Sequence, residues 1–116
     1  MVKASDRLIE KLSSEQTKLG ITATACGFYG PQGRYLRLAP NPTDINEYLT
    51  SFRYDDLRIT NFEMETSAIY GLAAMMGHEA LSLNAIVANR ILGEFSTDSY
   101  ATVDKMIIYA LDKLAQ

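Results

Sequence analysis

The run LSLNAIVA, residues 81–88, most narrows what this chain can fold into. It is apolar at nearly every position and too short to cross a bilayer. A strand with one wet face alternates apolar and polar side chains, whereas a strand covered on both faces has no reason to alternate. The run therefore predicts a strand inside a parallel sheet, with helices on the sheet's faces.

The rest of the chain supplies such a sheet. ITATAC, residues 21–26, alternates in β-forming residues, and LRITNF, residues 57–62, reads as another strand. Before them, Ser5 is placed to cap a helix carrying Leu8, Ile9 and Leu12 on one face, with Gly20 ending it or its trailing turn. GFYGPQGR forces a loop through three glycines and Pro31, YLRL reads as a short extended piece, and APNPTD suits neither helix nor strand. Thr43 or Asp44 then caps a helix over 45–52.

From Glu65 the period changes to that of a helix, with Ile69, Leu72, Ala73 and Met76 on one face. Tyr70 and Ala74 lie opposite, so this helix is apolar nearly all round, as in a core or against another subunit; Gly77 ends it. The last helix, 99–114, is expected to bury Val103, Ile107, Leu111 and Leu114 and to show Asp104, Lys105, Asp112 and Lys113 to water. The order α-β-α-β-α-β-α implies one α/β domain over residues 1–116, layered α/β/α on a mostly parallel, possibly mixed, sheet.

Composition removes several function classes. Eleven Lys and Arg against 14 Asp and Glu, with no basic run, argue against a nucleic-acid partner. There is no apolar stretch of membrane-spanning length and no signal-peptide core, so no membrane is expected. A single cysteine, Cys26, allows no intrachain disulfide and fits a reducing, cytoplasmic compartment. It is expected to be a small buried residue. His78, the one histidine, follows a helix-ending glycine, and Met75 and Met76 belong to a core or interface. One His and one Cys far apart give no metal site, and no glycine-rich phosphate loop is present.

In parallel sheets ligands gather outside the carboxyl ends of the strands. Three segments fall there: GFYGPQGR, EMETS, and the pair Asn89–Arg90. Glu63 and Glu65 are two apart and point the same way on an extended backbone, as a grip on the vicinal hydroxyls of a ribose requires. Equally, Glu65 is placed to cap the following helix and Glu63 to pair with a cation. In the loop, Phe28 can stack on a planar ring, while Gln32 and Arg34 can read the carbonyl and N–H edge of a pyrimidine. The same residues would also serve as a solvated turn.

FYGPQGR followed by ITNFEMETSAIYGLAAMMGHEALSLNAIVANR resembles the C-terminal half of the uridine phosphorylases, in the nucleoside phosphorylase family. The resemblance runs from about Thr22 onward and implies phosphorolysis of uridine to uracil and ribose 1-phosphate. That is a pentosyltransferase activity in pyrimidine salvage, with inorganic phosphate as co-substrate and no cofactor. It implies that Phe28 packs on the base, that Gln32 and Arg34 bind and stabilise the uracil, and that Arg90 lies near them. Met64 would lie under the ribose, Glu65 would bind its hydroxyls, and Glu63 would line the pocket or orient Arg34. Purine-directed relatives place an Asp near Asn89 to protonate the leaving base; an amide cannot, which favours a pyrimidine. Family members are considerably longer, and their phosphate site comes from an N-terminal half with no counterpart here, so the phosphate-binding residues of this chain are unknown. Arg7 and Arg37 lie outside the matching motifs. The expectation is a nucleoside half-site, completed by a separate N-terminal half or by homo-oligomerisation. The alternatives are a non-catalytic nucleoside-binding module and an inactive remnant that self-associates.

Overall fold

A computed structural model describes residues 1–41 and 43–116. The chain runs through α1 (Asp6–Leu12), β1 (Ile21–Thr24), a 3-10 turn (Gly30–Gln32), α2 (Ile45–Ser51), β2 (Arg53–Tyr54) and β3 (Leu57–Glu63). It continues through α3 (Thr66–Met75), β4 (Ala88–Asn89), β5 (Glu94–Phe95) and α4 (Ser99–Ala115). The architecture is mixed α/β, as the sequence implied. The break expected over 39–44 includes Pro42, which lies outside the described residues, and YLRL forms no strand.

The main sheet has the order β1-β3-β2, with β1 parallel and β2 antiparallel to β3. β2 and β3 form a hairpin whose turn places Asp55 at φ 50°, a left-handed conformation that Asp tolerates better than most residues. Gly20 enters β1 so close to β3 that a Cβ there would sit 2.2 Å from the Thr60 hydroxyl oxygen. Glycine at that position lets the two strands meet. On one face of the pair, the Thr22 hydroxyl donates to Asn61 at 2.8 Å and the Thr24 hydroxyl to Glu63 at 2.5 Å.

Helices attach to this sheet and to each other at few points. α2 packs on β3, α3 on β1, and α1 on α4. The Ser5 hydroxyl caps α1 by accepting the Leu8 N–H at 3.2 Å, and the Tyr109 hydroxyl of α4 donates to the Leu12 carbonyl at 2.7 Å. Asp98 caps α4 through the Ala101 N–H at 2.9 Å. At the far end of α3, Glu79 accepts from Ser5 at 2.8 Å and from the Arg7 guanidinium, which joins the first and third helical segments.

The third strand is displaced. Over residues 81–87 the chain joins no ladder, and the β position is filled by the two-residue hairpin β4–β5. A parallel strand needs a neighbouring strand along its length; here the Ser82 N–H goes to the Tyr70 hydroxyl at 2.7 Å, and the Val87 carbonyl takes the Ser96 N–H at 2.8 Å where the β4–β5 hairpin begins. The apolar helices are likewise open rather than buried. On α3, Ile69, Leu72 and Met75 are 55%, 58% and 85% exposed, and on α4 Ile107, Leu111 and Leu114 remain about half exposed or more. Cys26 is also exposed, because β1 ends at Thr24 and Ala25 takes the buried position. Among the described residues no helix is long and apolar enough to cross a membrane.

The surface is correspondingly large for the chain's mass. The accessible area is 9047 Å² for 12.9 kDa, where a compact monomer of that mass leaves about 6,300 Å². Leu12 and Ala25 are the buried apolar residues of the described chain. Each large apolar side chain covered on association would gain roughly 1.5–3 kcal/mol, so the open faces of α3 and α4 should drive association. Sedimentation velocity over a dilution series should show species heavier than 12.9 kDa that grow with concentration. Leu72→Glu with Met75→Glu should reduce them, and a clean monomer throughout would contradict the expectation.

Candidate functional site

Parallel pairing puts the carboxyl ends of β1 and β3 side by side. Thr24 lies opposite Glu63 in the ladder, and the Ala25 N–H continues it by donating to the Glu63 carbonyl at 2.8 Å. The loop after β1 folds on itself: the Gln32 and Arg34 N–H groups donate to the Tyr29 carbonyl at 3.1 and 2.9 Å, and Gly33 N–H to Gly30 at 2.8 Å. Gly33 has φ +68°, and a Cβ there would lie 2.2 Å from Ile45 of α2, so the turn needs glycine on two counts.

That turn gathers four of the sequence-predicted residues. Gln32 is 7% exposed, and its amide oxygen accepts from the Arg34 guanidinium and, at 3.4 Å, from Arg90. Arg90 also donates to the Gln32 backbone carbonyl at 2.8 Å. The Arg34 guanidinium donates to the Phe28 carbonyl at 2.7 Å and lies over the Phe28 ring, 3.7 Å from its centroid. Arg90 sits 5.2 Å from the centroid of Phe62 on β3. Partial burial lowers the pKa of Arg90, and the neighbouring Arg34 charge lowers it further. The ion pairs among the described residues are Lys3–Asp6 and Arg7–Glu79, so neither guanidinium of the cluster meets a carboxylate.

Two cations thus share one neutral acceptor. Their donors fix the Gln32 amide with its oxygen inward. Its N–H₂ has no acceptor among the described residues and stays available to a ligand. The Gln32 amide oxygen is thus already occupied, and of the side-by-side donor and acceptor that its sequence position allowed only the donor is without a partner among the described residues. Phe28 is 49% exposed, with one face of its ring already covered by Arg34.

The two glutamates divide differently from either sequence expectation. One oxygen of Glu63 takes the Thr24 hydroxyl, and the other takes the N–H groups of Glu65 and Thr66 at 2.6 Å each. It is Glu63, reaching forward from the strand, that caps α3, and it neither pairs with a cation nor meets Arg34. Glu65 occupies the N-cap position without a side-chain cap and is exposed, and its carboxylate accepts only the Met64 N–H at 3.2 Å. Met64 is exposed beside it. Burial pushes the Glu63 carboxyl up, but the Thr24 hydroxyl, the N–H groups of Glu65 and Thr66 and the Thr66 hydroxyl outweigh it and hold the group below the usual range.

Asn89 closes the turn after β4, its side-chain oxygen accepting from Ile91 and Leu92 at 3.1 and 3.2 Å. Thr24 is the site-edge residue that sequence reading missed. A threonine in a strand is ordinary, and only the pairing register shows that it faces Glu63. Two shallow hollows lie elsewhere, one lined by Ser14, Tyr109 and Asp112, the other by Arg7, Tyr70 and Glu79. Both are open dips whose polar groups pair with one another, Arg7 and Ser5 with Glu79 in one and Tyr109 with Ser14 in the other, and the strand-end cluster is the better candidate. Among the described residues no three His, Cys, Asp or Glu side chains are placed to hold a metal ion.

Two outcomes follow. Arg90→Ala removes the strap across the loop and should cost about 1 kcal/mol locally, or roughly fivefold faster amide exchange at Gln32, Gly33 and Arg34; unchanged exchange would show that the strap does no work. Because the folded-state pKa of Glu63 is depressed, its stabilisation is complete above the ordinary glutamate range, about pH 4.3, and is lost as pH falls through the lower folded value. Glu63→Gln should flatten that acid limb in thermal-unfolding profiles.

The sequence pattern of the phosphorylase superfamily matches residues 1–115. A uridine phosphorylase from Thermococcus kodakarensis is 41% identical over 83 residues, covering 66% of this chain and 27% of that protein. DeoD-type purine nucleoside phosphorylases from Anoxybacillus flavithermus and Geobacillus stearothermophilus are each 33% identical over 106 residues, covering 90% of this chain and 38% of theirs. The chain thus spans between about a quarter and two fifths of the length of these relatives. No solved structure matches it significantly.

Proposed function

The chain belongs to the phosphorylase superfamily, among the nucleoside phosphorylases, and from that membership we propose that it carries the base and ribose side of a uridine phosphorylase site. The reaction is phosphorolysis of uridine to uracil and ribose 1-phosphate. Phosphate, the co-substrate, is held by residues outside this chain, supplied by a separate N-terminal half or by another subunit. The observation that carries the reading is the pair of unneutralised guanidiniums around Gln32, beside a free Glu65 at the next strand end.

In phosphorolysis a phosphate oxygen attacks C1′ and the C1′–N1 bond breaks. Its electron pair leaves with the base, so negative charge spreads to the uracil carbonyl oxygens while the sugar becomes positive. Arg34, Arg90 and the free Gln32 N–H₂ place donors and positive charge where the base acquires its charge, an effect that is often the largest in catalysis. The exposed Phe28 ring packs on the base. Glu65 accepts from the ribose hydroxyls and Met64 lies beneath the ring, which holds C1′ for attack. Asn89 is engaged in its turn and carries no acidic proton, so it cannot protonate a purine. This supports uridine over a purine nucleoside, although the purine phosphorylases align over more of the chain.

The test pairs binding with turnover. Uridine titrated into the isotope-labelled chain should shift the resonances of Phe28, Gln32, Arg34 and Glu65. Glu65→Ala and Arg34→Ala should each weaken binding by about tenfold or more, the loss expected for a charged hydrogen-bond partner. Uracil release from uridine and phosphate should be absent for the chain alone and appear when it is co-expressed with the N-terminal half of a uridine phosphorylase. Normal turnover by the isolated chain would refute the external phosphate site. No uridine shift would refute the nucleoside site, stronger binding of inosine would move the assignment to purines, and binding without turnover in the assembled protein would leave a non-catalytic binding module.

A further inference from the structure

The geometry points to Thr24 as a positioning residue for the ribose side of the site, acting through Glu63 and the first turn of α3 on the direction of Glu65. The inference rests on the nucleoside reading above for its ligand, and on hydrogen bonds alone for its mechanics.

Thr24 is the last residue of β1, and its hydroxyl works in both directions. It donates to one oxygen of Glu63 at 2.5 Å and accepts the Ser67 N–H at 3.1 Å. The other Glu63 oxygen takes the N–H groups of Glu65 and Thr66. A helix start leaves its first N–H groups without intrahelical partners. Here three successive ones, at residues 65, 66 and 67, are held by side chains from the ends of two neighbouring strands. The Glu65 carbonyl in turn accepts from Ala68 and Ile69, both at 3.1 Å. Glu65 is thereby fixed through its N–H on the strand side and its C=O on the helix side.

The side chain of Glu65 is nevertheless exposed and almost free of partners. A ligand must order that side chain, and it must not also have to order the backbone beneath it; a preset backbone lowers the cost of binding. Thr24 touches no part of the Phe28–Gln32–Arg34–Arg90 cluster through a hydrogen bond. Its loss should therefore affect the sugar side and leave the base side alone. Valine keeps the shape and β-preference of threonine but can neither donate nor accept. Serine keeps both functions.

The experiment compares wild type, Thr24→Val and Thr24→Ser by NMR, with uridine and free uracil as separate probes. Thr24→Val should weaken uridine binding about tenfold and leave uracil binding within about twofold, and Thr24→Ser should restore uridine binding. A general loss of structure would weaken both probes, and the β1–β3 ladder amides report it independently. Equal weakening of uridine and uracil, or wild-type uridine affinity in Thr24→Val, would overturn the proposal. If wild type binds neither probe, the nucleoside reading fails, and the backbone order of Met64, Glu65 and Ser67 decides this one. Greater mobility there in Thr24→Val, reversed in Thr24→Ser, supports the positioning role; unchanged order overturns it.

Discussion

Everything that resembles a site in this protein depends on the parallel pairing of β1 with β3. Antiparallel neighbours would send their carboxyl ends to opposite edges, and the two loops would never meet. Parallel pairing aligns Thr24 with Glu63, so the chain leaves both strands at one edge. From that edge one loop turns through Gly33 and returns Arg34 to Phe28, while the other passes through Glu65 into α3. Arg90 then joins the first loop to the chain after β4.

The edge has a charge pattern with chemical meaning. Its loop side carries two guanidiniums sharing one amide oxygen, and its helix side carries two carboxylates, one committed to structure and one free. In the proposed reaction negative charge develops on the base, beside the guanidiniums, and positive charge on the sugar, beside the carboxylates, so the two patterns are complementary. Glu63 spends both oxygens on Thr24 and the start of α3, which leaves Glu65 as the carboxylate of the edge with room for a ligand.

Hydrogen bonds and backbone geometry, rather than a large core, hold this arrangement. Glu63, Thr24 and Ser67 join strand ends to helix, and Gln32 joins the two arginines, while the apolar faces of α3 and α4 stay open. Such a site is locally ordered inside a molecule with much surface still to cover. Covering those faces would add stability without rebuilding the strand edge.

The sequence by itself determined the helices, the strands β1 and β3, and the family. Ser5, Gly77 and the apolar periods mark where elements start and stop, and those signals depend on neighbours a few residues away. It also brought Phe28, Gln32, Arg34 and Arg90 under suspicion together. Tertiary structure alone decided which glutamate caps and which is free, because that turns on the reach of Glu63 from a paired strand to N–H groups two and three residues ahead. It alone brought in Thr24, which has no local signature and gains its role from the residue opposite. It also decided against a strand at 81–87, whose composition suits one: a ladder is a property of two segments, and composition describes only one of them.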